Sequence, residues 1–261
     1  MPQAPHVPFP PEPDDTGFLS LVTDRLARLP GIRAVMLGGS RASGREWPDS
    51  DWDFAIYYRG HFDVGHVRAL GWPGRVSGIG GWGGGVFNGG AWLETGGRRV
   101  DIHYRDLDDV ERRIDEAERG GFAIEPLLNY LAGIPTYVVA AELALGRILC
   151  GDLPRPEYPE ALRREASRIW QERADMTLAY ARKAYAERGH RALAFGAGAR
   201  ALLEAAHARL ARAGIWVVNE KNMLGPAGLA DADALFTACE TGPDGLVPWI
   251  DGIEERIRPA R

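Results

Sequence analysis

The chain has 261 residues, 45% of them apolar, with 31 basic against 36 acidic side chains and a formal charge of -5. That length and apolar share suit one large domain or two modest ones with buried cores and exclude disorder throughout. The acidic balance disfavours nucleic acid as a partner, and no stretch approaches the roughly 20 uninterrupted apolar residues of a membrane helix.

Met1 to Asp15 is proline-rich without apolar periodicity and reads as a flexible lead. From Gly17 to Leu29, Phe18, Leu21, Val22, Leu26 and Leu29 recur at helical spacing, and Pro30-Gly31 ends the helix. Ile32 to Leu37 and Trp52 to Tyr58 are apolar, β-branched and aromatic runs stopped by glycine, and both predict strands. Gly71 to Gly97 is so rich in glycine that only Val86-Phe87 and Ala91 to Glu94 read as strand pieces. Arg98 to Tyr104 predicts a further strand, with Val100, Ile102 and Tyr104 on one face and Asp101 and His103 on the other. A helix follows from Asp106 or Asp108 to Gly120.

Beyond it, helical spacing is read at Leu127 to Leu131, Tyr137 to Leu149, Leu162 to Tyr185, Leu193 to Leu210 and from Leu235 onward. Leu162, Ala166, Ile169, Met176 and Tyr180 form the clearest stripe, with Trp170 and Tyr180 expected in the core. Cys150 to Pro159, with three prolines, marks the hinge between a mixed front half, residues 16–149, and a helical back half, residues 150–261. Cys150 and Cys239 match no metal-ligand spacing, and a reducing cytoplasm is the expected compartment.

The chemistry concentrates between Val35 and Tyr58. An apolar strand runs into Gly38-Gly39-Ser40, and Asp51-Trp52-Asp53 opens the next strand. Glycines after a strand let backbone N–H groups approach a polyphosphate, and Ser40 adds a hydroxyl. Arg41 to Trp47 would be a helix whose positive end faces that anion. The period of two puts Asp51 and Asp53 on one face with Trp52 opposite. Paired carboxylates beside a phosphate-holding turn suit Mg²⁺ carried by a nucleotide triphosphate, and a two-metal site needs a further carboxylate, for which Asp101 is the candidate. Arg41 and Arg45 compete as phosphate contacts. Lys221, in the polar segment Trp216 to Asn222, could reach the triphosphate as well. Gly78-x-Gly80-x-x-Gly83 spells a dinucleotide-binding fingerprint but lacks the strand before it and the helix after it.

Gly39-Ser40, a short spacer, Asp51-x-Asp53 and the later Asp101 resemble the nucleotidyltransferase superfamily typified by DNA polymerase beta. The run from Gly38 to Tyr58 is closest to the small bacterial and the aminoglycoside and lincosamide nucleotidyltransferases. The resemblance implies an α/β (α+β) fold: a mixed sheet flanked by helices, followed by an all-helical C-terminal domain, with substrates in the cleft between the halves. It implies a Mg²⁺-dependent transferase, with two ions, in which an acceptor hydroxyl attacks the α-phosphate of a nucleotide triphosphate and pyrophosphate leaves. Asp51, Asp53 and Asp101 would hold metal, Gly38, Gly39, Ser40, Arg41 and Lys221 the nucleotide, and either Asp101 or Glu94 would be the base. Transfer of AMP from ATP to a small hydroxylated acceptor, such as an antibiotic, is the preferred expectation. Modification of protein or RNA in the manner of an antitoxin, and an inactive nucleotide-binding interaction protein, stand as alternatives. A homodimer is compatible with the resemblance, since small relatives often build the acceptor pocket across two chains.

Overall fold

The computed structural model describes residues 14–42, 44, 47, 50–83, 85–128, 130–237 and 245–258. Expectations that fall on 1–13, on Arg45 or on Cys239 lie outside these residues. Two compact units divide the chain, Met1–Asp109 with Leu145–Pro154, and Val110–Ala144 with Arg155–Arg261. This departs from a single boundary at Cys150, because the chain after Gly146 forms a strand of the first unit, as shown next.

In the first unit, α1 (Asp15–Ala27) starts two residues before the periodic pattern does, because Asp14 caps it by accepting from the Gly17 N–H at 2.7 Å. A cap of this kind contributes about 1 kcal/mol, so the acidic pair just ahead of the apolar stripe belongs to the fold. The elements that follow are β1 (Ile32–Leu37), α2 (Gly39–Ala42), β2 (Trp52–Tyr58), α3 (Gly65–Arg68), β3 (Gly74–Val76), β4 (Gly90–Thr95) and β5 (Arg98–Asp106). β1 and β2 have the bounds the apolar runs predict. β8 (Arg147–Cys150) returns to pair antiparallel with β1, so Tyr137 to Leu149 is not one helix.

The sheet runs in the order β3-β4-β5-β2-β1-β8. β2 and β5 are parallel, and the remaining pairs are antiparallel. Val35 and Leu37, Trp52, Phe54 and Ile56, and Val100, Ile102 and Tyr104 share one core with Phe18, Val22 and Leu26 of α1. Alternation then leaves Asp53, Asp101, His103 and Trp92 on the opposite face.

The second unit contains most of α4 (Leu107–Glu118), then β6 (Ile124–Leu127), β7 (Tyr130–Pro135), α5 (Val138–Leu145), α6 (Glu160–Ala184), α7 (Arg191–Ala213), α8 (Ala232–Thr237) and α9 (Leu246–Ile257). The helix expected at Leu127 to Leu131 is instead part of an antiparallel hairpin. Pro126 and Pro135 oppose a helix here. Gly133 permits close pairing, since a Cβ there would lie 2.8 Å from Ile124 Cγ2.

The buried face of α6 is Leu162, Ala166, Trp170, Ala174, Leu178 and Ala181. Met176 and Tyr180 are 64% and 63% exposed, so the expected stripe shares Leu162 and Ala166 with the core face but leaves it in the second half of the helix, and Tyr180 is not in the core. Small residues mark the true face: Ala194, Gly198, Ala201 and Ala205 of α7 are buried in the same way. Trp170 is in the core as expected, donating its indole N–H to the Tyr137 hydroxyl at 3.1 Å. No helix among the described residues is long and apolar enough to cross a membrane.

A Cβ at Gly198 would fall 2.4 Å from Trp249 Cη2 and 2.8 Å from Ile253 Cδ1. Gly198→Val should therefore overpack the α7·α9 contact and lower stability by about 1–3 kcal/mol, read as a drop in urea midpoint with unchanged m-value.

Candidate active site

β1 delivers the chain into a turn that leans on β2. The Gly38 N–H donates to the Asp53 carbonyl at 2.8 Å. Gly39 has φ +62°, and a Cβ there would lie 1.9 Å from Asp53 Oδ2. The backbone at Gly39 thus occupies the space a side chain would need, with the Asp53 carboxylate against it. Ser40 follows in the single turn α2, which is shorter than the expected Arg41 to Trp47 helix in its described part.

Across the parallel β2/β5 pair, Asp53 stands in register with Asp101. Asp51, just ahead of β2, has Oδ1 2.6 Å from Arg99 Nε, an ion pair that is not aligned as a hydrogen bond. Burial, then the negative charges of Asp53 and Asp51, push the Asp101 carboxyl up to about 6, with Arg99 opposing the shift. The structure therefore brings Asp51, Asp53 and Asp101 together beside the Gly38–Ser40 turn.

Arg41 is engaged elsewhere. Its Nε and Nη2 donate to the Ser50 carbonyl at 3.2 and 2.9 Å, and its guanidinium lies 4.3 Å over the Trp52 ring. Phe18 packs on Trp52 at 5.0 Å, and Arg98 sits 4.5 Å over Phe18. Asp15 pairs with both arginines, at 3.0 Å to Arg98 and 3.4 Å to Arg41. Arg41 thus braces the middle residue of Asp51-Trp52-Asp53. Asp15, set aside with the proline-rich lead, orients the brace. Lys221 belongs to the second unit, exposed in a turn where its N–H donates to Asn219 Oδ1 at 3.1 Å. Glu220 beside it accepts from the Leu131 and Ala132 N–H groups at 2.6 and 2.9 Å, which ties this segment to β7.

The glycine-rich segment builds the flank of the site. Trp92 is the register partner of Asp101, and Glu94 is that of Arg99. Trp82 stacks on Trp92 with ring centres 4.6 Å apart. It crosses Gly90, where a Cβ would lie 2.4 Å from Trp82 Cη2. The His103 ring has Trp82 and Phe87 at 5.5 Å each, and buried Arg105 donates to the Val86 carbonyl at 2.9 Å. The Gly78 to Gly83 fingerprint is a plain turn, with Gly81 and Gly83 N–H groups bonded to the Gly78 and Gly80 carbonyls. Sequence reasoning missed Trp82 and Trp92; the available signal was an aromatic residue on the same strand parity as the polar face.

The donor set is oxygen-only, as Mg²⁺ requires, and the pressed Asp53–Asp101 pair has negative charge that a cation would relieve. Among the described residues no group of three or more His, Cys, Asp or Glu side chains is arranged so that it could hold a metal ion.

Two outcomes follow from this geometry. Gly39→Ala should cost about 1–2 kcal/mol of stability through the left-handed backbone and displace Asp53, measured by denaturant unfolding and by loss of nucleotide binding. Asp101 carries its proton more tightly in the folded chain, about 6 against 3.8, so stability falls as pH rises through that window and the penalty persists above it. Asp101→Asn should then raise stability above pH 6 by about 1 kcal/mol, after allowance for partial solvent screening, and leave it unchanged below pH 4.

Residues 22–70 match the family model described as polymerase beta, nucleotidyltransferase. The match takes in Gly38, Gly39, Ser40, Asp51 and Asp53, while Asp101, the tryptophan flank and the second unit lie beyond it. A nucleotidyltransferase-like protein from Exiguobacterium sibiricum 255-15 resembles the chain at 14% identity and a TM-score of 0.45, over 93% of this chain and 73% of that one. That similarity is too low to add to the assignment. No curated protein matches the chain. Residues 22–70, which hold the Gly-Ser turn and the Asp-x-Asp strand, therefore carry a polymerase beta-type nucleotidyltransferase signature.

Proposed function

We propose that the protein is a Mg²⁺-dependent enzyme moving AMP from ATP to a hydroxyl of a small acceptor, antibiotics included, in the cytoplasm. The observation that carries this reading is the register of Asp53 with Asp101 beside the Gly39 turn, where burial and then the Asp53 and Asp51 charges push the Asp101 carboxyl up. A carboxyl held by burial beside two like charges keeps a higher proton affinity than an ordinary one, which suits a group that must take a proton in the transition state.

The backbone N–H of Gly39 and the Ser40 hydroxyl would hold the triphosphate by its terminal phosphates, on a turn that the Gly38 N–H fixes to β2. Asp51 and Asp53, with Asp101 as a third oxygen donor, would hold the metal. When bound, Mg²⁺ supplies positive charge that offsets the charge of the triphosphate and of the departing pyrophosphate. Asp101 accepts the acceptor's hydroxyl proton as the new bond from that oxygen to the α-phosphorus forms. The bond from the α-phosphorus to its bridging oxygen breaks in line, and pyrophosphate leaves with the electron pair. Arg99 steadies Asp51 at the edge of the site. Glu94, exposed and facing Arg99 across the β4/β5 ladder, is the weaker candidate for base, because its register partner is Arg99 and not the Asp53–Asp101 pair.

The test is pyrophosphate release from Mg²⁺-ATP across a panel of hydroxylated small molecules. Acceptor-dependent release is expected, with a loss of about 100-fold or more in Asp101→Asn. Release that is unaffected by Asp101→Asn but abolished by Glu94→Gln would move the base to Glu94. No release with any acceptor, and labelling of protein or RNA instead, would favour the macromolecular reading.

A further inference from the structure

Arginines gather toward the ends of two helices of the second unit. Arg209 and Arg212 are three residues apart on α7, which puts them on one face, and Arg256 lies in the last turn of α9 with Arg258 just beyond it. All four line one cavity of about 670 Å³, in which Glu255 is the sole lining carboxylate. The lining residues belong to the second unit alone, so the cavity shares none with the aspartates of the first. We propose that this cavity is a second anion site, which takes a small molecule bearing two or more phosphate groups and no aromatic base. The inference does not rest on the transfer reading above.

Two of the guanidiniums are held in place with donors to spare. Arg209 donates from Nη1 to the Ala227 carbonyl at 3.1 Å and from Nη2 to the Arg256 carbonyl at 2.6 Å, which leaves Nε and the second hydrogen of each Nη. Arg256 donates from Nε and Nη2 to Asp231 Oδ1 at 3.1 and 2.6 Å and from Nη2 to the Gly228 carbonyl at 2.9 Å, which leaves Nη1. Arginines near a helix C-terminus commonly serve its free carbonyls, and Arg209 does so for α9. That role does not extend to Arg212 and Arg258, whose side chains have no hydrogen bond or ion pair among the described residues. Burial and then the charges of Arg256 and Arg212 push the Arg209 guanidinium down from its ordinary value, and its two bonds go to neutral carbonyls. A bound anion would relieve that crowding of like charge.

The chemistry of the ligand follows from charge, size and the lack of rings. Guanidinium forks match phosphate oxygens. Four of them against one carboxylate exceed the roughly two negative charges of a single phosphate, and the volume lies in the range of small-molecule sites. No lining residue is aromatic, so a nucleobase would find no ring to stack on. The overall charge of -5 disfavours a nucleic-acid strand as well. A phosphorylated polyol and an inorganic oligophosphate share the required chemistry. They differ at Glu255, which can accept from a hydroxyl of the first and repels the second.

The experiment is calorimetric titration of the full chain with fructose 1,6-bisphosphate, tripolyphosphate and ATP, in EDTA to suppress Mg²⁺-dependent binding. An Arg212→Glu, Arg258→Glu double variant removes the site. Arg25→Glu, Arg28→Glu on α1 makes the same change of net charge elsewhere. The wild type should bind the bisphosphate or tripolyphosphate, at least about tenfold more tightly than Arg212→Glu, Arg258→Glu and within about twofold of Arg25→Glu, Arg28→Glu. The tighter of the two probes identifies the source, polyol or oligophosphate. The Asp51→Asn, Asp53→Asn double variant should bind as the wild type does. No binding of either probe at about 1 mM, or equal weakening in both charge-reversed variants, overturns the site. Loss of binding in Asp51→Asn, Asp53→Asn overturns it too, because the probe then sits at the aspartates. ATP bound more tightly than both probes, with Arg212 and Arg258 required, overturns the exclusion of a base.

Discussion

The site depends on a steric fact at one residue and an electrostatic one beside it. Gly39 must lack a side chain because the Asp53 carboxylate is packed where a Cβ would be. The register of β2 against β5 then sets that carboxylate next to Asp101, a pairing of like charges that burial makes worse. A fold that only had to be stable would separate these groups, since like charges close together destabilise the ionised state. Keeping them together is understandable if a cation and a substrate complete the arrangement, which is the sense in which perturbed carboxylates point to function.

The surrounding residues resist the ways this pair could relax. On the core side, Trp52 is held between Arg41 and Phe18, and Asp15 ties Arg41 to Arg98. Rotation or slippage of β2 would expose Trp52 and carry both aspartates to the wrong face, because one residue of slip inverts a strand. On the site face, the glycine-rich segment lays indoles along β4 next to Asp101. Its glycines act there as clearance for rings and for close strand pairing, at Gly90 under Trp82 and at Gly74 against the Trp92 carbonyl.

Much of this was legible in the residues. β1, β2 and the alternation of β5 were readable because apolar and polar positions alternate cleanly and glycines end each run. The Gly39, Asp53 and Asp101 grouping was readable because spacing along two strands fixes their parity. The contacts of Arg41 were not legible, because one arginine can meet a phosphate or an indole and the tertiary position of Trp52 and Ser50 brings it onto the indole here. The β6/β7 hairpin and β8 were hidden, since short apolar runs do not distinguish strand from helix without their partners. On α6, large side chains at Met176 and Tyr180 drew attention from the alanines that allow the helices to approach closely.

The most direct test is calorimetric titration of ATP into the wild type and an Asp51→Asn, Asp53→Asn double variant, each with and without Mg²⁺. The account predicts Mg²⁺-dependent binding by the wild type that the double variant loses while its fold is retained. Binding of equal strength in both proteins, or binding indifferent to Mg²⁺, would contradict the assignment of these carboxylates to a metal-nucleotide site.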